Sequence, residues 1–325
     1  MTAPVVIGLS AVAMAVTDGE ALVLTVRPGG AGPAGLPFGR FDPDGARTFE
    51  LALRAFVAQQ TGFQLGYVEQ LYTFGDKGRD APRAEVGAGE ARVVSVGYLA
   101  LTPKQAPVTA PDTGWSPCAR FFPWEDWRRG RPALLDQTIA PALAAWAALA
   151  RGEEMKARLA RARLLFALDG APWLEERVLE RYELLYEASL APEAERDRIR
   201  AAGLPSTEPA AGAALLGEPM ISDHRRILAT GLGRLRGKLK YRPVAFELTA
   251  PEFTLSTLQR TVEAIIGAPL HKQNFRRALE RAGLVEGLGR MDAGTGGRPA
   301  ELFRFRREAM ASGAAQGMSL PLLRD

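Results

Sequence analysis

The sequence contains very little cysteine and histidine. Its 325 residues include one cysteine, Cys118, and two histidines, His224 and His271. A single cysteine cannot form a disulfide framework within one chain, which suits a reducing cytoplasm. The spacing of these residues matches no zinc motif, and the sequence has no phosphate-binding P-loop. Zinc chemistry, a catalytic cysteine and a bound cofactor are therefore not expected.

Long hydrophobic runs are also missing. Residues 5–16 form an apolar run of twelve, which is too short to span a bilayer. No basic residues precede this run and the polar residues 17–20 follow it, so a signal peptide is not indicated. The run predicts a buried β-strand. We expect a cytoplasmic protein of two or three domains with no membrane partner.

Charge is distributed unevenly along the chain. Residues 221–325 contain 18 Lys and Arg residues against 10 Asp and Glu residues, a net charge of +8. Residues 1–220 contain 23 against 27, a net charge of −4. A basic region attached to a mildly acidic one indicates a polyanionic partner such as nucleic acid. Chance clustering of cations on a solvated surface would give the same pattern.

The N-terminal region alternates strand-like and helical patterns. The Asp18-Gly19 dipeptide, which separates the apolar runs 5–16 and 21–26, predicts a β-hairpin. Residues 48–60 carry the apolar stripe of a helix, with Gly62 as its C-cap. Two more strands are predicted at residues 67–74 and 93–101. This order predicts an α+β sandwich rather than a parallel doubly wound sheet.

The middle of the chain joins an aromatic segment to a helical one. The aromatic segment indicates either core packing or a contact surface, and it contains Trp115, Phe121, Phe122, Trp124 and Trp127. Residues 134–188 are predicted to be mostly helical, with breaks near Gly152 and at 169–172. Residues 201–217 have the composition of a linker. We therefore expect a first domain at 1–135, a helical insertion with linker at 136–217, and a third part at 218–325.

A basic helix is predicted after the linker. Ser222 is its expected N-cap, and the helix runs to about Lys240. One side is apolar, and the other carries Arg225, Arg226, Arg234, Arg236, Lys238 and Lys240. Such a helix can bridge two domains, pack against its copy in a dimer, or turn a charged face to solvent.

From Phe253 onward the chain has the order of a winged helix-turn-helix. Thr254 is expected to cap a first helix, residues 267–270 to form a tight turn, and residues 272–282 to form a second helix that ends at Gly283. A β-ribbon with a glycine-rich tip follows at 284–305.

In this fold the second helix presents long hydrogen-bond donors to base edges and phosphates, and the wing tip carries a cation to the phosphates. The expected DNA contacts are Lys272, Gln273, Asn274, Arg276, Arg277 and Arg298. Arg281 and the basic residues at 304–307 are weaker candidates, because a helix C-terminus or solvent also accounts for them.

Short stretches at both ends of the chain carry a family resemblance. Residues 273–277 (QNFRR), 283–285 (GLV) and 297–305 (GRPAELFRF) resemble the C-terminal domain of the Nudix-related transcriptional regulators of NAD metabolism, the NrtR-like group. Residues 238–248 look like the approach to that domain. Residues 67–76, 79–80 and 94–98 look like the family's Nudix-like domain. The helical insertion and residues 122–127 resemble the alphaproteobacterial NadQ branch.

This resemblance implies a fold and a function. The fold is an N-terminal Nudix-like α/β/α sandwich with a helical insertion, followed by the winged helix-turn-helix. The function is that of a homodimeric repressor of NAD-biosynthesis genes. Its Nudix-like domain would sense an adenine-containing effector, with NAD, ADP-ribose and ATP all open, and would change the affinity for double-stranded operator DNA.

The Nudix hydrolase signature is degenerate in this sequence. The signature is G-x5-E-x7-R-E-U-x-E-E-x-G-U, where U is apolar, and its carboxylates hold a divalent metal against a pyrophosphate. When the last glycine is aligned with Gly62, Gln59 and Gln60 occupy the positions of the glutamate pair and Arg47 that of the first glutamate. Because an amide contributes no negative charge, we expect no metal, no catalytic residue and no hydrolysis.

Loss of catalysis need not remove ligand binding. The residues expected to hold phosphates and an adenine ring are Arg27, Arg40, Phe74, Arg79, Tyr98 and Trp124. Two other functions stay open: a Nudix-type nucleotide pyrophosphohydrolase with an atypical metal site, and a dimeric scaffold whose winged helix binds protein.

Overall fold

The structure is a computed structural model that describes residues 5–30, 32–76, 79, 92–103, 108, 110–202, 216–292 and 299–306. Arg298, expected at the wing tip, lies outside these residues, as does most of the expected linker at 201–217. No helix within the described ranges is both long and apolar enough to cross a membrane.

A mixed β-sheet forms the centre of the N-terminal region. Its strands follow the order β4-β5-β1-β2-β6, and β3 pairs with the first half of β1. The pairing of β1 with β5 is parallel, and the other pairings are antiparallel. The mixed sheet confirms the α+β prediction. The strands are β1 (Val5–Thr17), β2 (Glu20–Val26), β3 (Phe38–Arg40), β4 (Tyr67–Phe74), β5 (Arg92–Leu101) and β6 (Thr113–Pro117).

The turn between β1 and β2 has the conformation that its dipeptide predicts. Asp18 and Gly19 both have positive φ, 51° and 75°, and Thr17 pairs with Glu20 across the turn. A two-residue turn with positive φ at both positions matches the twist of the strands that it joins. The predicted hairpin is confirmed.

One helix covers one face of the sheet. The helix α1 (Phe49–Thr61) begins at Thr48, whose Oγ1 accepts a hydrogen bond from Leu51 N–H, and ends at Gly62 with φ of 72°. Its buried residues Leu53 and Val57 pack in a cluster with Leu9, Val96 and Tyr98 of the sheet.

The other face is covered by the aromatic segment and the helical stretch. The aromatic segment contains α2 (Cys118–Phe121) and a 3-10 turn (Pro123–Glu125). The predicted helical stretch is confirmed, with breaks at Gly152 (φ 60°) and at Asp169 and Gly170. It consists of a π-turn (Leu135–Ile139), α3 (Ala140–Ala148), α4 (Gly152–Leu165), α5 (Val178–Glu187) and α6 (Pro192–Ala201).

The helix α7 (His224–Leu239) connects the regions of the chain. It packs against the sheet and against α5. Arg225, Arg236 and Lys238 are buried, so half of its predicted basic side is interior, as expected for a helix that bridges two regions. Packing against a copy in a dimer stays a prediction. The expected N-cap is wrong. Asp223 holds the cap position, while Ser222 has a φ of 46° and a buried hydroxyl that finds no hydrogen-bond partner among the described residues.

The C-terminal region has the predicted winged-helix order. After a 3-10 turn (Val244–Leu248), β7 (Glu252–Thr254) forms a small sheet with the order β7-β9-β8, and the two helices lie between β7 and β8 in sequence. Thr254 caps the first helix by accepting a hydrogen bond from Thr257 N–H. These elements are α8 (Leu255–Ile266), α9 (Lys272–Ala282), β8 (Val285–Asp292) and β9 (Ala300–Phe305).

One large core cluster contains residues from every part of the chain. Val12 of β1, Phe122 of the aromatic segment, Leu184 of α5 and Leu258 of α8 all belong to it. The proposed domain boundaries at 135/136 and 217/218 stay predictions, since the packing is continuous across them.

Candidate DNA-binding surface and effector site

The turn between α8 and α9 is fixed by two side chains of α8. Glu263 Oε1 accepts a hydrogen bond from Leu270 N–H at 2.8 Å. Gln259 Nε2 donates to the Leu270 carbonyl oxygen at 2.9 Å and to the Glu263 carboxylate at 2.9 Å. These side chains hold the start of α9 in a fixed relation to α8. Sequence reasoning missed both, although a Gln and Glu four residues apart just before a turn are a usable signal.

One face of α9 is apolar and the opposite face is rich in donors. Phe275, Ala278 and Leu279 are buried, and Phe275 and Leu279 belong to the same core cluster as Leu258 of α8. The exposed residues of the helix include Lys272, Gln273, Arg276 and Arg277, and Asn274 is half-buried. The structure therefore brings five of the six expected DNA contacts together on one helix.

In the described part of the wing, two arginines form ion pairs with carboxylates. Arg290 pairs with Glu252 at 2.5 Å, and Arg304 pairs with Glu286 across the β-ribbon. Arg281 donates to the Arg277 carbonyl oxygen at 3.3 Å, within its own helix. These three arginines are therefore less available to a phosphate than the exposed cations of α9.

The residues expected to bind the effector do not form one site. Tyr98 lies under α1 and donates to Gln70 at 3.4 Å, whereas Phe74 lies on the opposite face of the sheet, beneath the Arg226 guanidinium of α7. Arg40 is exposed at the end of β3. Arg27 donates to the Gly32 carbonyl oxygen at 2.7 Å and faces Glu218 at 3.9 Å.

Arg79 and Trp124 make internal contacts. Arg79 pairs with Glu183 at 2.8 Å and Asp223 at 3.5 Å, and its guanidinium stacks on the Tyr186 ring. Trp124 is fully buried, so the aromatic segment packs in the core. A ligand contact by Trp124 would require this core to open. The carboxylates of α5 and α7 around Arg79 carry no local sequence signal, because their partner is more than a hundred residues away.

Residues 245–305 match the family model of the NrtR DNA-binding winged helix domain. The C-terminal domain is therefore similar to the winged helix of NrtR. The resemblance inferred from QNFRR and GRPAELFRF is thereby confirmed.

A curated relative supports this assignment over a limited length. The ADPR-responsive transcriptional repressor NtrR of Acinetobacter baylyi is 39% identical over 83 residues, which are 26% of this chain. The match covers 33% of the relative, so the chain aligns with about a third of the length of that repressor.

Solved structures match over nearly the whole chain. Shewanella oneidensis NrtR complexed with a 27mer DNA has a TM-score of 0.51 and 20% identity, and the match covers 98% of this chain and 99% of that one. A MutT/Nudix family protein from Enterococcus faecalis has a TM-score of 0.52 and 14% identity, covering 94% and 89%. These likenesses show the fold, a Nudix-like N-terminal domain followed by the NrtR-type winged helix.

The residues of α1 do not fit the divalent metal that a Nudix hydrolase holds. Glu50 is bonded to Arg54 Nε at 2.9 Å, Gln59 is exposed, and both polar ends of the Gln60 amide are bonded to the Phe38 backbone. Within the described ranges, no three His, Cys, Asp or Glu side chains gather as a metal site. Hard cations need several carboxylate oxygens, and α1 does not supply them.

Cys118 and His224 are both buried. Burial raises the pKa of the Cys118 thiol to about 12, so the reactive thiolate is scarce at neutral pH. Burial lowers the pKa of His224 to about 3, and its Nδ1 accepts a hydrogen bond from Leu36 N–H at 3.0 Å. His224 is therefore a neutral structural residue.

Proposed function

We propose that this chain is a ligand-responsive DNA-binding repressor of NAD-biosynthesis genes that acts in the cytoplasm. The observation that carries the proposal is the exposed cationic face of α9 within an NrtR-type winged helix. An α-helix enters the major groove, where Arg and Lys reach guanine or phosphate and Gln and Asn reach adenine. We assign DNA contact to Lys272, Gln273, Asn274, Arg276, Arg277 and the wing residue Arg298.

The effector proposed first is ADP-ribose. The curated relative is named an ADPR-responsive repressor, and ADP-ribose is one of the three adenine-containing effectors that the sequence leaves open. Binding without turnover is supported by α1, where Gln59 and Gln60 stand in the positions of the metal-binding glutamates. The Nudix-like domain then serves as a sensor rather than a hydrolase.

A homodimer is part of the proposal. A two-fold protein reads two half-sites of a palindrome, and each copy places one recognition helix in the major groove. The dimer concentrates two cationic faces on one DNA molecule, which raises affinity without requiring more contacts in each subunit.

The test begins with selection of a duplex from a random-sequence pool by the full-length protein. The selected site should be palindromic. Affinity for it should fall steeply with salt, because each neutralised phosphate releases counterions. Genomic fragments recovered by the protein should lie upstream of NAD-biosynthesis genes. Failure to enrich any sequence would overturn the proposal.

The effector is tested on the same selected duplex. Addition of ADP-ribose should change the affinity for DNA, and NAD and ATP serve as comparisons. Incubation of ADP-ribose with the protein and Mg²⁺ should leave the nucleotide intact. Steady release of product would instead make the chain a nucleotide pyrophosphohydrolase.

A further inference from the structure

A buried carboxylate joins three parts of the molecule. Glu125 ends the 3-10 turn of the aromatic segment and is 3% exposed. Its Oε1 accepts from Arg181 Nε of α5 at 2.6 Å, and its Oε2 accepts from Arg181 Nη2 at 2.8 Å. The Arg236 guanidinium of α7 also donates to Oε2. We call Glu125, Arg181 and Arg236 the junction cluster.

The junction cluster is buried, and it contains two guanidiniums and one carboxylate. Arg181 is 0% exposed and Arg236 is 3% exposed. Burial alone would raise the pKa of Glu125, but the two guanidiniums hold that pKa below its ordinary value. The carboxylate is therefore ionised, and its loss would leave two buried cations without their counterion.

Arg236 extends the cluster to the winged helix. Its Nε donates to the Ile265 carbonyl oxygen at 2.7 Å, in the last turn of α8. Its Nη1 donates to the Glu175 carbonyl oxygen at 2.9 Å. The last carbonyl groups of a helix lack partners within the helix and carry negative partial charge, so a cation there is favourable. One guanidinium thus ties the end of α8 to the aromatic segment and the insertion.

The turn before α9 also contacts the aromatic segment next to Glu125. Trp127 N–H donates to the Gly267 carbonyl oxygen at 2.6 Å. Gly267 has a φ of 71°, and a Cβ there would overlap the Glu125 carbonyl oxygen. Glu263 and Gln259 fix the remainder of the turn at Leu270. A continuous series of hydrogen bonds and close backbone contacts therefore connects Glu125 to the start of α9.

We propose that Glu125 and Arg236 are positioning residues for DNA recognition, which set the placement of α9 relative to the sensor domain. The inference rests on the proposed DNA-binding function, because α9 is the element they place. Neither residue touches DNA in this scheme, since both side chains are buried. They act through Ile265 and Gly267, which bound the turn that leads into α9.

The chain supplies a matched control. Glu193 of α6 forms a second buried pair with Arg225 of α7, at 3.3 Å, and both side chains are 1% exposed. Glu193 also accepts from Met220 N–H at 3.0 Å. This pair lies at the N-terminal end of α7, and its hydrogen bonds in the described part of the chain go to Phe121, Leu216 and Met220 rather than to α8. Glu193→Gln therefore costs a buried ion pair without disturbing the placement of α9.

The test compares full-length Glu125→Gln with Glu193→Gln at a temperature where both are folded. In Glu125→Gln the new amide N–H₂ group faces a guanidinium donor, so one arginine loses its acceptor. We expect affinity for the selected duplex to fall about tenfold or more for Glu125→Gln and to change little for Glu193→Gln. Equal loss in the two variants, or unchanged affinity in Glu125→Gln, would overturn the inference.

A second readout does not depend on DNA. Amide hydrogen exchange of residues 268–275 in the free protein should accelerate in Glu125→Gln and not in Glu193→Gln. If the wild-type protein binds no duplex, the proposed function fails, while this exchange pattern still tests whether the cluster places α9. Unchanged exchange at 268–275 would reject the positioning role.

Arg236→Lys is a second variant that tests the same proposal if Glu125→Gln does not fold. Lysine keeps the charge beside Glu125, but its single nitrogen cannot reach Glu125, Ile265 and Glu175 together. We expect this variant to fold, to lose affinity for the selected duplex, and to show faster exchange at residues 268–275. A folded Arg236→Lys protein with wild-type affinity and exchange would refute the role of Arg236.

Discussion

Gln60 holds the backbone of Phe38 through both ends of its amide. Phe38 N–H donates to Gln60 Oε1 at 3.2 Å, and Gln60 Nε2 donates to the Phe38 carbonyl oxygen at 2.6 Å. This pair fastens α1 to β3, at a position that the sequence alignment at Gly62 assigns to a metal-binding glutamate of the Nudix signature. A carboxylate can satisfy only the first of the two bonds, because it has no proton to donate.

Gln60→Glu should therefore destabilise the protein instead of restoring catalysis. The carboxylate would meet the Phe38 carbonyl oxygen with no proton between them, and we expect a loss of about 1 to 2 kcal/mol in the free energy of unfolding. Urea unfolding measures this loss. Gln59→Glu is the control, since Gln59 is exposed and should tolerate the change. A stable Gln60→Glu protein that hydrolyses ADP-ribose with Mg²⁺ would contradict this assignment.

His224 should make the folded state sensitive to mild acid. Its pKa is about 3 in the folded protein, against an ordinary value of 6.5. The unfolded state therefore binds more protons between these values, so this contribution to stability is complete above about pH 6.5 and is lost as the pH falls toward 3. The slope approaches about 1.4 kcal/mol per pH unit.

Asp223 has the opposite effect on the pH dependence of stability. The contribution of His224 is therefore measured as the difference in stability between the wild type and a His224 variant. Burial raises the pKa of Asp223 to about 6, and its ionised form costs stability above that pH. That cost is relieved as the pH falls from 6 toward 3.8. His224→Asn keeps an acceptor for Leu36 N–H but does not titrate. The wild type should lose stability relative to this variant from pH 7 to pH 5, and parallel curves would refute the prediction.

Arg276→Ala and Arg277→Ala should each weaken DNA binding. Both side chains are exposed on α9, where a phosphate or a guanine can reach them. If either contacts a phosphate, the slope of log K against log salt should become shallower by about 1. Arg304→Ala is the control, because Arg304 is paired with Glu286 across the wing. A larger effect for Arg304→Ala than for the α9 variants would mean that the wing strands, not α9, face the DNA.

Two glycines should respond to alanine with opposite signs. Gly267→Ala introduces a Cβ at a φ of 71° and against the Glu125 carbonyl oxygen, so it should destabilise the protein by more than about 1 kcal/mol. Gly237 lies in α7, and its Cβ would meet no atom within 4 Å. Gly237→Ala should stabilise the protein by up to about 1 kcal/mol. Thermal unfolding of the two variants distinguishes these outcomes. Equal shifts in melting temperature would show that Gly267 is not in tight contact with the Glu125 carbonyl oxygen.

The elements that the sequence predicts correctly depend on neighbours a few residues away. The hairpin at Asp18-Gly19, the cap at Thr254 and the left-handed helix ends at Gly62 and Gly283 are decided within one turn of chain. The winged helix is recognisable for the same reason, since its caps, turn and ribbon follow one another in sequence.

The effector residues and the basic helix depend on contacts that the sequence does not reveal. Tyr98 and Phe74 lie on opposite faces of the sheet because of strand register. Arg225 and Arg236 look like a solvated face of α7, but Glu193 and Glu125 neutralise them from 32 and 111 residues away. Ser222 is a residue type that often caps a helix, but its backbone does not have the conformation of a cap.

The helical insertion supplies one of the two arginines that neutralise Glu125, as well as the carbonyl group of Glu175 that Arg236 uses. A shortened chain without residues 136–217 would still encode the N-terminal sheet and the winged helix, yet Glu125 would lose one of its two arginine partners. The insertion therefore cannot be deleted in protein engineering without changing the surroundings of Glu125. In related chains, any loss of these helices should be accompanied by a change at position 125.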